Sequence, residues 1–402
     1  MVCTLRSVMK RSIFLEGGIE KLSFDYVPSK LPHREEFVEK MVNFLKVVID
    51  QPCAISERIL ITGKSGTGKT VTAKRVGSVL KIIAEKRGVN LVYAHINCRT
   101  TPGKYGLVQR IIRKTAPVLP LRGYSSTELL HALWDYLNEH DIILLLTLDE
   151  IDYFIRSTGE DIVYELTRLT DEVKGVPQRI NFIFIGRSQK FLNELSPSTL
   201  SKFRPQERFE FPPYVENQLI DILSQRVKEA FIENAVSEEI LTFIARNTVK
   251  YGHGDARYAL QLLLSSGLIA EREGCFFILP EHVREAQEKT DPKLRDEDVM
   301  VLPEEEKFLL LALARRLKGE REAVFLPLEA VEETYNVICE EYGRKPVGRV
   351  LLHALASDLE AAGIITLSED FQMGLDGVKA EILEKFLVDL LRESEGRRHI
   401  DT

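Results

Sequence analysis

Residues 63–70 read Gly63-Lys64-Ser65-Gly66-Thr67-Gly68-Lys69-Thr70, after the apolar run Ile59-Leu60-Ile61 and before a segment of helical spacing from Val71. Strand, GxxxxGK(S/T) loop and helix, in that order, are what a phosphate-binding loop requires. Glycines let successive backbone N–H groups curl around an anion, and the start of the following helix adds its positive end. In such a loop Lys69 reaches the β and γ phosphates and the Thr70 hydroxyl sits on Mg²⁺. The stretch therefore points to ATP or ADP with Mg²⁺, held by Gly63, Lys64, Ser65, Gly66, Thr67, Gly68, Lys69 and Thr70.

The carboxylates such a site needs stand downstream. Ile142 to Leu148 is almost wholly apolar and ends in Asp149-Glu150-Ile151-Asp152, the pattern of a parallel strand buried on both faces. Open α/β sheets bind ligands at the C-terminal ends of their strands. Asp149 is thus expected, with Thr70, in the metal shell, and Glu150 as the residue that orients or activates attacking water. Leu91 to Ile96 and Ile180 to Ile185 read as further buried strands, the second leading to Gly186-Arg187-Ser188. Upstream, two prolines preset an extended arm through Tyr26-Val27-Pro28 and Leu31-Pro32-His33-Arg34. The arm is expected against a nucleotide base, with Arg34 nearby.

At 402 residues the chain exceeds one ordinary core, so two or three domains are expected. No run approaches 18 apolar residues, which excludes a membrane-spanning helix, and Met1 to Lys21 lacks the apolar core of a signal peptide. The five cysteines are scattered with no CxxC pair, so zinc is disfavoured and reduced thiols in a cytoplasmic protein are expected. Net charge is −7, unlike the strongly basic profile of many nucleic-acid domains. It is unevenly spread: residues 303–402 hold 13 Lys/Arg against 21 Asp/Glu. Conversely, Asn97 to Thr127 contains no acidic residue but carries Arg99, Lys104, Arg110, Arg113, Lys114 and Arg122. A cationic block in an acidic chain suggests contact with phosphates.

Phe211-Pro212-Pro213-Tyr214 breaks the chain, and helical patterns follow at 215–232, 237–248 and 255–271. The scattered aromatics of 258–277 read as core. Helices are expected at about 304–318, 327–342 and 346–362, with Pro346 in the first turn of the last and Gly363 at its end. A strand-like Ile364 to Leu367 follows. The expected architecture is an α/β nucleotide-binding base (1–210), an all-helical lid (211–290), a linker (291–302) and a winged helix-turn-helix (303–402).

Taken together, Tyr26-Val27-Pro28, Leu31-Pro32-His33-Arg34-Glu35, the phosphate loop, Ile96-Asn97-Cys98-Arg99, Pro120-Leu121-Arg122-Gly123, Leu148-Asp149-Glu150-Ile151-Asp152, Phe211-Pro212-Pro213-Tyr214 and Gly254-Asp255-Ala256-Arg257 resemble the archaeal origin-recognition initiators, the Orc/Cdc-type AAA+ ATPases. The resemblance covers nearly the whole chain. It implies an AAA+ P-loop ATPase base with a parallel sheet, a helical lid and a C-terminal winged helix. It implies nucleotide contacts at Val27, Arg34, Tyr214 and Arg257, the last as the lid arginine of the family. The basic stretch corresponds to an initiator-specific helical insertion that touches duplex DNA, which assigns Arg110, Arg113, Lys114 and Arg122 to DNA. Lys345, Arg349 and His353 along the third winged-helix helix suit a major groove.

Three features depart from the family pattern. Arg187 falls where a polar Asn is usual, and Ser198 falls at the arginine-finger position, with Arg204 the nearest substitute. The wing, Ser368 through Asp376, carries acids in place of Arg and Gly. Slow ATP hydrolysis with Glu150, Arg187 and Arg257 as catalytic residues is expected, or hydrolysis completed by a partner subunit's finger. The implied function is replication initiation: binding origin DNA and switching with nucleotide to load helicase, alongside other initiator subunits. Two alternatives stay open, a paralogue acting mainly through protein contacts and an Orc-like ATPase that regulates transcription.

Overall fold

The structure is a computed structural model that describes residues 12–101, 103–168, 177–203, 205–290, 299–368 and 370–398. The chain divides into two compact units, residues 25–218 with 254–256, and residues 1–24 with 219–253 and 257–402.

The first unit is built on a parallel sheet. Its strands are β1 (Arg58–Gly63), β2 (Leu91–Asn97), β3 (Ile143–Asp149), β4 (Ile180–Gly186) and β5 (Glu207–Phe211), in the spatial order β2-β3-β4-β1-β5. Every residue of β1, β3 and β4 is buried, as expected of strands covered by helices on both faces. On one face lie helices Gly103–Thr115, Ser126–Glu139, Ile151–Thr158 and Asp161–Arg168, whose Leu107, Ile111, Leu133 and Phe154 join Leu144, Leu146, Phe182 and Phe184. On the other, Met41, Leu45, Val76 and Leu80 of helices Glu35–Leu45 and Lys69–Lys86 cover Ile59, Ile61 and Ile183. A capping box starts the Ser126–Glu139 helix: Ser125 Oγ accepts from the Glu128 N–H, and the Glu128 carboxylate accepts from the Ser125 N–H at 2.7 Å. In this register Asn97 pairs with Asp149, Asp149 with Ile185, Thr62 with Gly186 and Gly63 with Phe211. The C-terminal ends of all five strands therefore form one row.

The second unit contains the helices after 218 and the winged helix. Helices Glu238–Gly252, Ala256–Glu273 and Pro280–Thr290 precede residues 291–298, the part of the expected linker outside the described residues. The helix Pro280–Thr290 has no counterpart in the sequence reading, because its mean polarity hides its buried face. Helices Glu304–Gly319, Leu328–Glu341 and Arg349–Ala361 then meet a three-stranded sheet of β6 (Leu326–Pro327), β8 (Gln372–Leu375) and β7 (Ile365–Leu367), and helix Ala380–Arg398 closes the unit. Two expectations need correction. The third winged-helix helix begins at Arg349 with Gly348 as its cap, so Pro346 and Lys345 lie in the preceding loop and not in its first turn. Phe276 and Phe277 are exposed and Tyr258 is half-buried, so the aromatics of 258–277 are not core.

A polar joint fastens the winged helix to the helices before it. Arg284, fully buried, donates from Nε to the Leu375 carbonyl (2.9 Å), from Nη2 to the Val324 carbonyl (3.1 Å) and from Nη1 to Glu281 (2.8 Å). Asp376 accepts from Tyr251 (3.0 Å) and Lys250 (3.3 Å), and also from Thr366. Asp376 is thus a buried tie, and the expectation that it forms part of an acidic wing surface is overturned. Glu285 accepts from Arg272 (2.6 Å), Lys289 (2.5 Å) and Lys379. Burial pushes its carboxyl up, but these three cations outweigh that and draw it from 4.5 down to about 2. A depressed carboxylate stabilises the fold above its ordinary value and loses that contribution as pH falls through its folded value. Wild type should therefore melt above Glu285→Gln at pH 6, by up to about 3 kcal/mol in stability, with the gap closing between pH 4.5 and pH 2 in thermal melts.

Candidate functional site

The phosphate loop joins β1 to the helix Lys69–Lys86. Gly66 and Gly68 take φ of 67° and 90°, values that only glycine adopts freely. Space imposes the same choice: a Cβ on Gly66 would lie 1.7 Å from the Asp255 carboxylate, and one on Gly68 2.5 Å from the Tyr214 hydroxyl. Gly68 caps the helix without any side-chain hydrogen bond, and the first turn holds no acid. The first N–H groups of an 18-residue helix are thereby left for an anion. Lys69 Nζ donates to the Gly63 and Lys64 carbonyls at 2.7 and 2.6 Å, which holds the ammonium over the loop. Ser65 and Lys64 are exposed on its rim.

Beside it, Thr70 Oγ1 donates to Asp149 Oδ2 at 2.6 Å. The same oxygen accepts from His95 Nε2 at 3.1 Å. Burial raises the Asp149 carboxyl, but the hydrogen bonds from His95 and Thr70 and the nearby Lys69 charge more than offset it, and the net shift is downward. An ionised carboxylate beside a hydroxyl is a hard-oxygen donor set that suits Mg²⁺. Glu150 has φ of 57°, a conformation costly for a residue with a side chain. Its carboxylate meets Arg99 Nη1 at 3.5 Å, and the Arg99 guanidinium stands over Tyr153. Arg187 is exposed just past Gly186, its backbone N–H donating to the buried Asp152 (3.1 Å).

Arg34, expected near a nucleotide base, has its own donors occupied by the protein. It is 2% exposed, and its donors go to the carbonyls of Thr67 (3.0 Å), His33 (2.9 Å) and Pro212 (2.8 Å). Its guanidinium lies 4.0 Å from the Tyr214 ring centre. Arg34 and Tyr214 thus brace the phosphate loop from behind, while Val27 is half-buried in the arm. The Ala256 N–H donates to the Gly66 carbonyl at 3.1 Å, and Arg257, exposed, belongs to the second unit. Ser198 is exposed in helix Pro197–Phe203, and Arg204 lies outside the described residues.

Three family models match the chain: an AAA domain over residues 57–193, the Cdc6 AAA+ ATPase-type lid domain over 220–288 and the CDC6 C-terminal winged helix domain over 297–377. An ORC1-type DNA replication protein 2 of Sulfurisphaera tokodaii is 34% identical over 376 residues, 90% of this chain and 88% of the relative. The ORC1-type DNA replication protein of Pyrococcus abyssi is 33% identical over 90% of this chain and 84% of its own length. The chain belongs to the ORC1/Cdc6 family of AAA+ replication initiators. Among solved structures, Cdc6p from Pyrobaculum aerophilum superposes with a TM-score of 0.83 at 29% identity, covering 95% of this chain and all of that one. The Aeropyrum pernix ORC1 protein, solved in complex with DNA, gives 0.61 at 28% identity over 92% of this chain and 96% of its own.

In this ORC1/Cdc6 chain the basic helix Gly103–Thr115 divides its cations by task. Arg110 donates to the Thr100 carbonyl and hydroxyl (2.6 and 2.8 Å), Lys114 to the His95 carbonyl (2.7 Å) and Lys104 to Glu165 (2.5 Å). Arg113, Lys114 and Arg122 are exposed. The winged helix offers less charge than its sequence suggests. Arg349 pairs with Glu329 and with Glu332 (3.7 Å), the His353 ring packs at a tilt against Phe371 with centroids 4.5 Å apart and Lys345 is exposed in the loop. The first turn of the helix Arg349–Ala361 instead exposes Val350 (88%) and Leu351 (50%). Glu273, Cys275 and His282 gather within reach of one another, but His282 Nδ1 accepts the Leu279 N–H (3.0 Å) while Nε2 faces Glu273 (3.3 Å). Nε2 therefore carries the proton, and Lys379 is the cation at Glu273 (3.3 Å). This group of the ORC1/Cdc6 chain is a salt-bridge knot. No helix of the described residues is long and apolar enough to cross a membrane.

Proposed function

We propose that this chain is an ATP-dependent replication initiator that binds duplex origin DNA, uses nucleotide as its switch for helicase loading, and works with other initiator subunits. The observation that carries the reading is the uncapped helix N-terminus behind the Gly66–Gly68 turn, with Thr70 bonded to Asp149 alongside. ATP phosphates would lie on that N-terminus and Lys69. Mg²⁺, held through Thr70 and Asp149, would neutralise phosphate charge. Glu150 would orient water, and Arg187 and Arg257 would answer to the γ-phosphate. The Arg99 pairing of Glu150 favours slow turnover, since the carboxylate must leave that ion pair before it can orient water.

DNA contact is assigned to the basic helix and the segment after it, with Arg113 and Arg122 as the freest cations and Arg110 and Lys114 beside them. The experiment is duplex binding by ATP-loaded protein across a salt series. Wild type should weaken steeply with salt, and Arg113→Glu/Arg122→Glu should weaken binding at every salt and flatten the slope by about one unit per lost phosphate contact. Adding Arg110→Glu and Lys114→Glu should remove what remains. Negligible wild-type binding at low salt would overturn the assignment.

A second reading is favoured by the neutralised Arg349 and the exposed Val350 and Leu351. The winged helix would then be a docking surface for a partner initiator or the helicase. Under that reading Val350→Asp would abolish partner capture and leave duplex affinity intact.

A further inference from the structure

We infer that His95 is a positioning residue for the metal half of the nucleotide site, selecting which Asp149 oxygen faces the ion. The inference rests on the reading of Thr70 and Asp149 as Mg²⁺-holding residues. His95 lies on β2, which runs parallel beside β3 with His95 opposite Thr147 and Asn97 opposite Asp149. Alternate residues of a strand share a face, so His95 stands one step back from Asp149 on the same side of the sheet. Its Nε2 lies 3.1 Å from Asp149 Oδ2, and the carboxylate is 5% exposed. A carboxylate can only accept, so Nε2 donates.

Both donors to Asp149, Thr70 Oγ1 and His95 Nε2, end on Oδ2. With one donor the carboxylate could rotate about its χ2 and exchange oxygens. Two donors from different elements hold one oxygen and leave Oδ1 as the oxygen presented outward. The backbone that carries the ring is anchored, since the His95 carbonyl accepts the Lys114 ammonium at 2.7 Å, and the side chain is only 15% exposed. Residues that orient a metal-holding carboxylate from behind govern metal affinity without touching the ion. His95 serves that part here.

The test is titration of a fluorescent ADP into the full chain, in EDTA and across a Mg²⁺ series, for wild type, His95→Leu and His95→Gln, with thermal melts to establish folding. Leu fills the space without a donor, and the Gln amide nitrogen reproduces the place of Nε2. In His95→Leu the Mg²⁺ needed for half of the Mg²⁺-dependent gain in affinity should rise roughly tenfold or more. In His95→Gln it should return most of the way to wild type. An unchanged Mg²⁺ requirement in His95→Leu would overturn the inference while leaving the nucleotide site standing. So would an equal loss of affinity with and without Mg²⁺, or a failure of His95→Gln to rescue a folded variant. Absence of ADP binding by wild type would overturn the site reading and the inference together.

Discussion

Lys69→Ala is expected to lower affinity for ATP and ADP roughly 10–100-fold, because a hydrogen bond to a charged partner contributes about 1.5–3 kcal/mol. The ammonium is held over the loop by two backbone carbonyls at 2.7 and 2.6 Å, so little reorganisation is needed before it meets a phosphate. These bonds are made at a part-exposed to exposed position, and water can replace them. The thermal midpoint of the ligand-free variant should accordingly stay close to wild type. Calorimetric titration with ATP and ADP measures the affinity, and a Lys69→Ala protein of wild-type affinity would sink the nucleotide-site assignment. Because Lys69 and His95 serve different halves of the site, Lys69→Ala should weaken binding in EDTA as well as in Mg²⁺.

Arg284→Leu is expected to destabilise the second unit by about 3–5 kcal/mol, the usual cost of removing one partner from a buried, hydrogen-bonded charge pair. The arginine is fully buried, and its loss would take one donor from each of the Leu375 and Val324 carbonyls and leave the Glu281 carboxylate with the Ala380 N–H but no cation. Burial draws the pKa of the guanidinium down and Glu281 opposes that shift; arginine is not deprotonated in proteins, so the group remains charged at neutral pH. Arg284→Lys keeps a charge but not the three-way fork, and should fall between wild type and Arg284→Leu in thermal melts. Equal stability of all three would show that the joint contributes nothing. Because the Leu375 carbonyl belongs to the wing, hydrogen exchange of β8 should rise in Arg284→Leu before that of β1 or β3.

The sequence was most informative where the chemistry is local. A phosphate loop needs glycine at strained φ, a lysine and a hydroxyl within eight consecutive residues, and nothing distant is required to recognise it. Asp149 and Glu150 were legible for a similar reason: Ile142 to Leu148 reads as a strand buried on both faces, and its end is where open parallel sheets hold ligands. The helical patterns after Phe211, and the three helices with a hairpin after Pro303, follow from periodicity in the same way.

Lateral neighbours were not legible. His95 and Arg99 sit some fifty residues before Asp149 and Glu150, and nothing in their spacing joins them. They meet because β2 lies beside β3 with Asn97 opposite Asp149, and strand order is a property of the packed sheet. Burial of charge was hidden as well. Arg34, Arg284 and Asp376 are hydrophilic residues that a reading by composition places in solvent. Each is buried because backbone carbonyls or opposite charges from distant segments satisfy it, which repays a desolvation cost that sequence alone cannot show being met. The same holds for Arg349, which the sequence offers to DNA and the fold gives to Glu329 and Glu332. By itself, then, the sequence determined most of the elements, the phosphate loop and the carboxylate pair, since backbone conformation and periodicity are local. Only the tertiary structure decided which charges are spent inside the protein and which remain for a ligand, since that depends on partners brought together by packing.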